Sequence, residues 1–406
     1  MKHKTPNDNL SDYSEIYKKF IINLSGKMNL NYYGKDFSPF PLIIKSSIND
    51  EIKKTHDVLI KAIKSIVENY FIDEKIQKIL PLTSKQKKLI KLSTHKPYHL
   101  FSIRPDFLFS ESGDIKLCEV NARFTFNGFI STYYLNQQLT EDYAGILKFE
   151  DELMEIVDNY LSKFDLAKPI FILRDKEKGY DINTLKSYLR YKNVNVIDIK
   201  PSELYLKGNS LKGKGVDCEQ LIMELHQSEL DNLDPRIAEN IILNVNYVND
   251  IRTIMIVHDK RLFVCLSDFE IMSRYLNEQD TLYLLQHIIP TYLIDNVKNE
   301  ILKNKSNWVL KKCLSGKGDG MYIGSETPIS DIKHVISEMN DLYVVQPYLT
   351  QKKIDIFFNN EYTPCRSVGM ILSLNGLYQG TGYFRTSPDR IVALSRGGYA
   401  VAACFM

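Results

Sequence analysis

Two carboxylates and an amide on neighbouring strands could hold a hard metal ion, and RPDFLFSESGDIKLCEVNARF, residues 104–124, offers them. Leu, Ile, Val and Phe dominate two runs flanking Ser112-Gly113, which reads as a two-residue hairpin turn. Counting outward pairs Glu111 with Asp114, Asp106 with Glu119 and Arg104 with Asn121, and alternation puts the last four on one face. Directly opposed side chains have Cβ atoms roughly 5 Å apart, so like charges there are destabilising unless something offsets them. Arg104 bridging to Asp106 or Glu119 on a solvated edge pair would do so. So would Mg²⁺, which accepts few protein oxygens and completes its shell with water and phosphate oxygens.

A second stretch, WVLKKCLSGKGDGMYIG at 308–324, sets Lys311 and Lys312 on an apolar strand before the loop Ser315, Gly316, Lys317, Gly318, Asp319, Gly320. Glycines let backbone N–H groups converge on an anion and a lysine adds a point charge, so the loop fits a flap over phosphates; a solvated glycine-rich hairpin is the plainer reading. Together, a phosphate flap and a carboxylate metal site imply nucleotide-dependent phosphoryl chemistry. A third stretch, GNSLKGK at 208–214, matches G-x-x-x-x-G-K, but Gly215 follows where a P-loop needs Ser or Thr, and no buried strand leads into it. An exposed hairpin turning at Gly208-Asn209 is the expectation there.

These motifs need elements to position them, and the chain divides into three zones. Residues 1–165 carry amphipathic helices, among them 48–70, where Ile52, Val58, Leu59, Ile63 and Ile66 recur at helical spacing, then the hairpin, an apolar segment 129–139 and a helix 148–163. Residues 166–248 begin as a βαβ unit, with strand PIFIL, helix 178–192 and strand VNVIDI, and continue to a helix 217–230, giving a small α/β layer. Residues 249–406 read as strands at 253–258 and 262–266, helices near 268–289, the lysine strand and loop, helix 328–340, the strand LYVVQPYL and further alternating strands, an α+β pattern with a substantial antiparallel sheet.

Composition narrows the function classes. The chain has 406 residues, 44% hydrophobic, enough for two or three domains. Lys plus Arg number 52 against 50 for Asp plus Glu, so the net charge of +2 gives no reason to expect nucleic acid or an anionic membrane, and nothing specifies an oligomeric state. The N-terminus lacks an apolar h-region and no apolar run approaches the ~20 residues of a membrane span, so a cytoplasmic protein is expected. Cys118, Cys218, Cys265, Cys313, Cys365 and Cys404 show no C-x-x-C or Cys/His spacing and read as free, mostly buried thiols. Among other conspicuous residues, a solvated turn is expected for His258-Asp259-Lys260-Arg261, a helix surface for Glu224 and His226, and a core position for Trp308.

Arg104-x-Asp106 followed by Glu119-x-Asn121-Ala122-Arg123 resembles the metal-binding hairpin of ATP-grasp enzymes, WVLKK with SGKGDG resembles their lysine strand and phosphate flap, and VVQPYL resembles their adenine-contacting linker. The hairpin stands about two hundred residues before the lysine strand, the reverse of the usual order, which resembles the circularly permuted, glutathionylspermidine-synthetase-like group. The closing GLYQGTGYFRTSPDRIVALSRGGYA is similar to the same group. The resemblance rests on roughly 100–125 and 250–406, with the middle zone agreeing only in general α/β character and serving as a pre-ATP-grasp-like layer. Lys312 stands where the family usually has proline, Phe269 where relatives often have a second nucleotide lysine, and Ala393-Leu394 where an asparagine is often found.

The resemblance implies Mg²⁺ on Asp106, Glu119 and Asn121, and ATP phosphates on Lys311, with Lys312 adjacent, under a flap of Ser315, Gly316, Lys317, Gly318 and Gly320. Gln346 and the backbone near Tyr348 would hold adenine. Arg385 would face the transferred group, with Arg104 as a second such cation, and Arg123, Ser395, Arg396, Gly397 and Gly398 would lie toward the substrate. The implied activity is ATP-dependent carboxylate–amine ligation through an acyl phosphate, on small-molecule, peptide or carrier-protein-bound substrates. A small-molecule kinase of the same fold, or an idle nucleotide-binding scaffold, are the alternatives.

Overall fold

The structure, a computed structural model, describes residues 2–3, 13–34, 36–143, 153–176, 179–316, 318–358 and 360–406. Helices and several sheets share one continuous buried cluster that includes Leu59, Phe107, Phe171, Leu221, Ile254, Val344 and Phe384, drawn from all three zones. The mixed helix-and-sheet arrangement is compatible with an α+β ATP-grasp fold. No helix among the described residues is long and apolar enough to cross a membrane.

The largest sheet is antiparallel in the order Tyr399–Val401, Phe384–Ser387, Glu361–Leu374, Ser102–Phe109, Ile115–Asn121, with Ile354–Phe358 and Leu377–Thr381 also pairing onto Glu361–Leu374. The early hairpin and the C-terminal strands therefore belong to one sheet. Its centre needs a glycine: Gly369 pairs with Phe107, and a Cβ on it would lie 2.2 Å from the Phe107 ring. Helix Ser46–Glu68 covers this sheet with Ile52, Leu59, Ile63 and Ile66, the side chains whose spacing marks the helix in the sequence.

A second antiparallel sheet runs Tyr292–Leu293, Tyr343–Pro347, Trp308–Lys312, Met321–Ile323, backed by helices Ile294–Lys303 and Ile329–Glu338. Trp308 is half-buried against that small core, edge-on to Tyr292. The middle zone holds an all-parallel sheet, Asn246–Val248, Gln220–Met223, Ile170–Leu173, Val196–Ile199, whose two central strands are buried at every position, as strands covered on both faces must be. The GNSLKGK stretch is the hairpin Leu204–Lys207 and Ser210–Gly213, turning at 208–209.

Three expected elements differ. Residues 253–258 and 262–266, expected as strands, form a π-helical turn, Thr253–Val257, and a helix, Leu262–Leu266. TIMIV and LFVCL are buried on every side, so they lack the one-faced periodicity that separates strand from helix, and tertiary packing overrides β-branched propensity. The helix expected at 217–230 is strands Val216–Asp217 and Gln220–Met223 followed by a short helix, Gln227–Asp231. Of the helix expected at 148–163, Leu153–Leu161 is helical and 148–152 lie outside the described residues.

Candidate active site

The hairpin sets Arg104 opposite Asn121 and Asp106 opposite Glu119 by two departures from a plain hairpin that cancel. Its loop is three residues long, with Gly113 at φ 96° and closing bonds between Ser110, Gly113 and Asp114, which shifts the pairs near the turn to Phe109 with Ile115 and Phe107 with Leu117. A bulge at Cys118 then restores the register at Asp106. The bulge also has a use. The Cys118 carbonyl accepts from Lys311 Nζ and from Gln346 Nε2, both at 3.4 Å, tying the hairpin to the lysine sheet. Gln346 Nε2 also donates to Thr291 Oγ1 at 2.9 Å.

What offsets the carboxylates is, in the first place, the chain's own cations. Asp106, 0% exposed, accepts from Arg104 Nε at 3.0 Å, Arg104 Nη2 at 3.2 Å, Asn121 Nδ2 at 3.1 Å and Arg385 Nη2 at 2.5 Å. Arg104 also donates to Asn127 Oδ1 at 2.8 Å. Half-buried Arg385, on strand Phe384–Ser387, keeps its buried Nε without a hydrogen-bond partner. Burial would raise the Glu119 carboxyl, yet Lys260, Lys311, Arg385 and Arg104 outweigh it and hold the group down at about 2.

Glu119 opens into a cleft beside Lys260, Lys311, Lys312, Gln346, Tyr348 and Arg385, with Ser315, Gly316 and Gly318 of the loop over it. Glu119 takes no hydrogen bond from any described residue, and Asn121 keeps its Oδ1 as an acceptor. An all-oxygen pair of this kind fits a hard cation such as Mg²⁺ without rearrangement, whereas Asp106 joins only if a guanidinium turns away. No cluster of three His, Cys, Asp or Glu suited to a metal occurs among the described residues, so such a cation would draw further ligands from water and substrate oxygens.

The glycine loop is folded against the C-terminal segment. Gly318 and Gly320 have φ of 75° and 63°, and a Cβ on Gly318 would lie 2.9 Å from Ile391 Cγ2. Arg396 Nη2 donates to the Gly318 carbonyl at 3.3 Å. Ser395 and Gly397 are exposed nearby, and buried Gly398 lies where a Cβ would approach the Ala393 and Thr386 carbonyls within 3.0 Å. Lys317 lies outside the described residues. Arg123 is turned to another locality, stacked over Phe124 at 4.1 Å and held by burial down at about 10.

Sequence reasoning missed several cleft groups. Lys260, expected in a solvated turn, lines the cleft and binds the Ser315 carbonyl; its neighbours Asp259 and Arg261 pair with each other, and half-buried His258 accepts from Ala122 N at 3.3 Å. Burial and Lys260 push the His258 imidazole well below its ordinary value. A basic residue after an apolar run was the available signal. Glu224, expected on a helix surface, is fully buried just past strand Gln220–Met223, and His226 caps the short helix that follows. All six cysteines are free and buried. Ser373, His56 and Asp57 align at 2.8 and 2.9 Å like a hydrolase triad, but Ser373 and His56 are 1% and 0% exposed, out of reach of a substrate carbonyl.

A model of the AnkG N-terminal domain matches residues 55–256. The chain is 21% identical to a protein named ATP-grasp enzyme ankG, from Aspergillus thermomutatus, across 96% of this chain and 93% of that one. These matches support an ATP-grasp family. They therefore support an enzyme of the ATP-grasp class, a class that generally uses ATP and Mg²⁺. The AnkG match begins in helix Ser46–Glu68 and takes in the hairpin and the parallel sheet, while the relative extends the similarity over the lysine strand and glycine loop.

Proposed function

We propose that the protein is an ATP-dependent carboxylate–amine ligase with the permuted ATP-grasp order, using Mg²⁺. The observation that carries the reading is the convergence of Lys260, Lys311 and Arg385, from three separate elements, on the half-buried Glu119 carboxylate in one cleft. Gln346 and Tyr348 lie in the same cleft and suit a nucleotide base, and the glycine loop suits its phosphates. The hairpin and the C-terminal strands sharing one sheet supports the permuted order.

In this reading a substrate carboxylate oxygen attacks the γ-phosphorus, the bond to ADP breaks, and an acyl phosphate forms; an amine lone pair then attacks the acyl carbon, phosphate leaves, and the amine gives up a proton. Bound Mg²⁺ would supply Lewis-acid charge on phosphate oxygens, held by Glu119 and Asn121. Lys311 and Lys260 orient the phosphates and offset their charge, Arg385 faces the transferring group with Nε still unpaired, and the loop excludes water from the acyl phosphate. Asp106 fixes Arg385 and Arg104 in place.

Product analysis with Mg-ATP, pooled carboxylic acids and hydroxylamine as an amine trap tests this. Acid-dependent ADP with a hydroxamate is the expected result. ADP with a stable phosphate ester would establish the kinase instead, and no turnover would leave either a carrier-bound substrate missing from the pool or the scaffold.

A further inference from the structure

The middle parallel sheet has a switch point. From Ile170–Leu173 the chain passes outward to Val196–Ile199 and returns on the other side to Gln220–Met223, so the crevice beyond the carboxyl ends of the two central strands is where open α/β sheets bind ligands. A small, partly open cavity lies there, between the segment after the hairpin and the loop after Ile170–Leu173. Its walls include the rings of Tyr33, Phe124, Tyr180 and Tyr383, together with Asp181 and Asn127. No Lys, Arg or His lines it among the described residues, in contrast to the lysine- and arginine-lined nucleotide cleft.

Glu224, the first residue past strand Gln220–Met223, sends its carboxyl toward this wall. Its Oε1 accepts from Thr125 N at 3.0 Å, whereas Oε2 is buried without a partner. Gly179, in the cavity wall, leaves the room: a Cβ there would lie 3.1 Å from Glu224 Oε2 and 3.2 Å from the Phe124 ring. Asp181 is already engaged, accepting from Tyr33 Oη at 2.9 Å and from Gly128 N and Ile130 N at the start of helix Phe129–Asp142. Arg174 and Arg123 act on Glu224 through space, but each is engaged elsewhere: Arg174 pairs with Asp198 at 2.8 Å and Arg123 lies over the Phe124 ring, while Arg104 bonds Asn127 and Asp106.

We propose that this cavity is the acceptor site and takes the ammonium end of an amine substrate with an aromatic or aliphatic body. Ring faces, the Asp181 carboxyl in the wall and the under-bonded Glu224 carboxyl just behind Gly179 select a cation over an anion or an alcohol. The cavity shares Asn127 with the Arg104–Asp106–Arg385 cluster, which brings the amine beside the place proposed for the acyl phosphate. Burial raises Glu224 to about 8 and Asp181 to about 7, so a carboxyl that is protonated in the free protein would pass its proton to an entering neutral amine and pair with the ammonium so formed. The assignment of the cavity to an acceptor rests on the ligase reading; its preference for an ammonium does not.

The test is saturation-transfer NMR on the full chain at pH 7 with phenethylamine, tyramine and hexylamine, each against the alcohol of equal length, alongside fluorescence-detected binding of mant-ATP. At least one amine should bind about tenfold more tightly than its alcohol, and Tyr180→Ala, at an exposed ring, and Glu224→Gln should each weaken it about fivefold or more while mant-ATP affinity stays unchanged. No amine binding, equal binding of the alcohol, or amine binding that survives both substitutions overturns the proposal. Amine binding lost in both variants, in a protein that never binds mant-ATP, would keep the ammonium site and overturn the ligase reading instead.

Discussion

Asp106 holds two guanidiniums while Glu119, directly across the hairpin, holds none, and this asymmetry assigns different work to two carboxylates of the same motif. Glu119 stays ionised far below neutral pH, so acid loss of activity between pH 6 and 4 is expected to be unchanged in Glu119→Gln relative to its own neutral rate, whatever the absolute loss. Lys311→Ala is expected to lower ATP turnover by about 10²-fold or more, because Lys311 alone of the paired lysines reaches the bulge carbonyl at Cys118; steady-state kinetics showing the larger loss in Lys312→Ala would move the phosphate role. Glu224 and Asp181 are raised above their unfolded values, so the folded protein binds more protons than the unfolded chain between about pH 4.5 and 8. Stability contributed by the protonated forms is present at the acid end and lost as pH rises through that window. Thermal melts from pH 5 to 8 should fall for the wild type and fall less steeply for Glu224→Gln.

At the scale of elements, the hairpin shows why a correct pairing does not guarantee a correct turn. A two-residue turn and a three-residue turn with a bulge give the same partners for Asp106, and only the bulge turns the Cys118 carbonyl toward Lys311 and Gln346. The lysine strand, the glycine loop and helix Ser46–Glu68 were legible because each has a local signal: glycine punctuation or one-faced periodicity. Thr253–Val257 was not, since a run buried all round has no face to read. The second cavity was not either, because its walls come from residues 33, 124–131, 179–181 and 383, which only the fold brings together. Gly369→Ala would drive a methyl into the Phe107 ring, and denaturant melts should show about 1–3 kcal/mol of lost stability; a neutral result would mean that the sheet centre relaxes freely. Gly318→Ala, strained at φ 75° and pressed on Ile391, should lower turnover while leaving the global melting temperature unmoved.

For the whole molecule, the sheet that joins residues 102–121 to 361–401 makes the two ends of the chain one folding unit. A fragment 249–406 would expose the Glu361–Leu374 edge that Ser102–Phe109 covers, so it is expected to be unfolded or aggregated by circular dichroism and sedimentation. A soluble, folded fragment would show that the C-terminal sheet stands alone. The same closure brings Arg385 from the last strands onto Asp106 from the hairpin, a contact that no local stretch of sequence contains.

The central claim is that a carboxylate is activated by transfer of the γ-phosphoryl group of ATP. Once the hydroxylamine trap has named the acid, that acid should be supplied with ¹⁸O in its carboxyl group and the phosphate released during amide formation weighed by mass spectrometry. One ¹⁸O in the phosphate is the expected result, because the carboxylate oxygen that attacks phosphorus leaves with it. Unlabelled phosphate, or AMP and pyrophosphate in place of ADP, would contradict the mechanism.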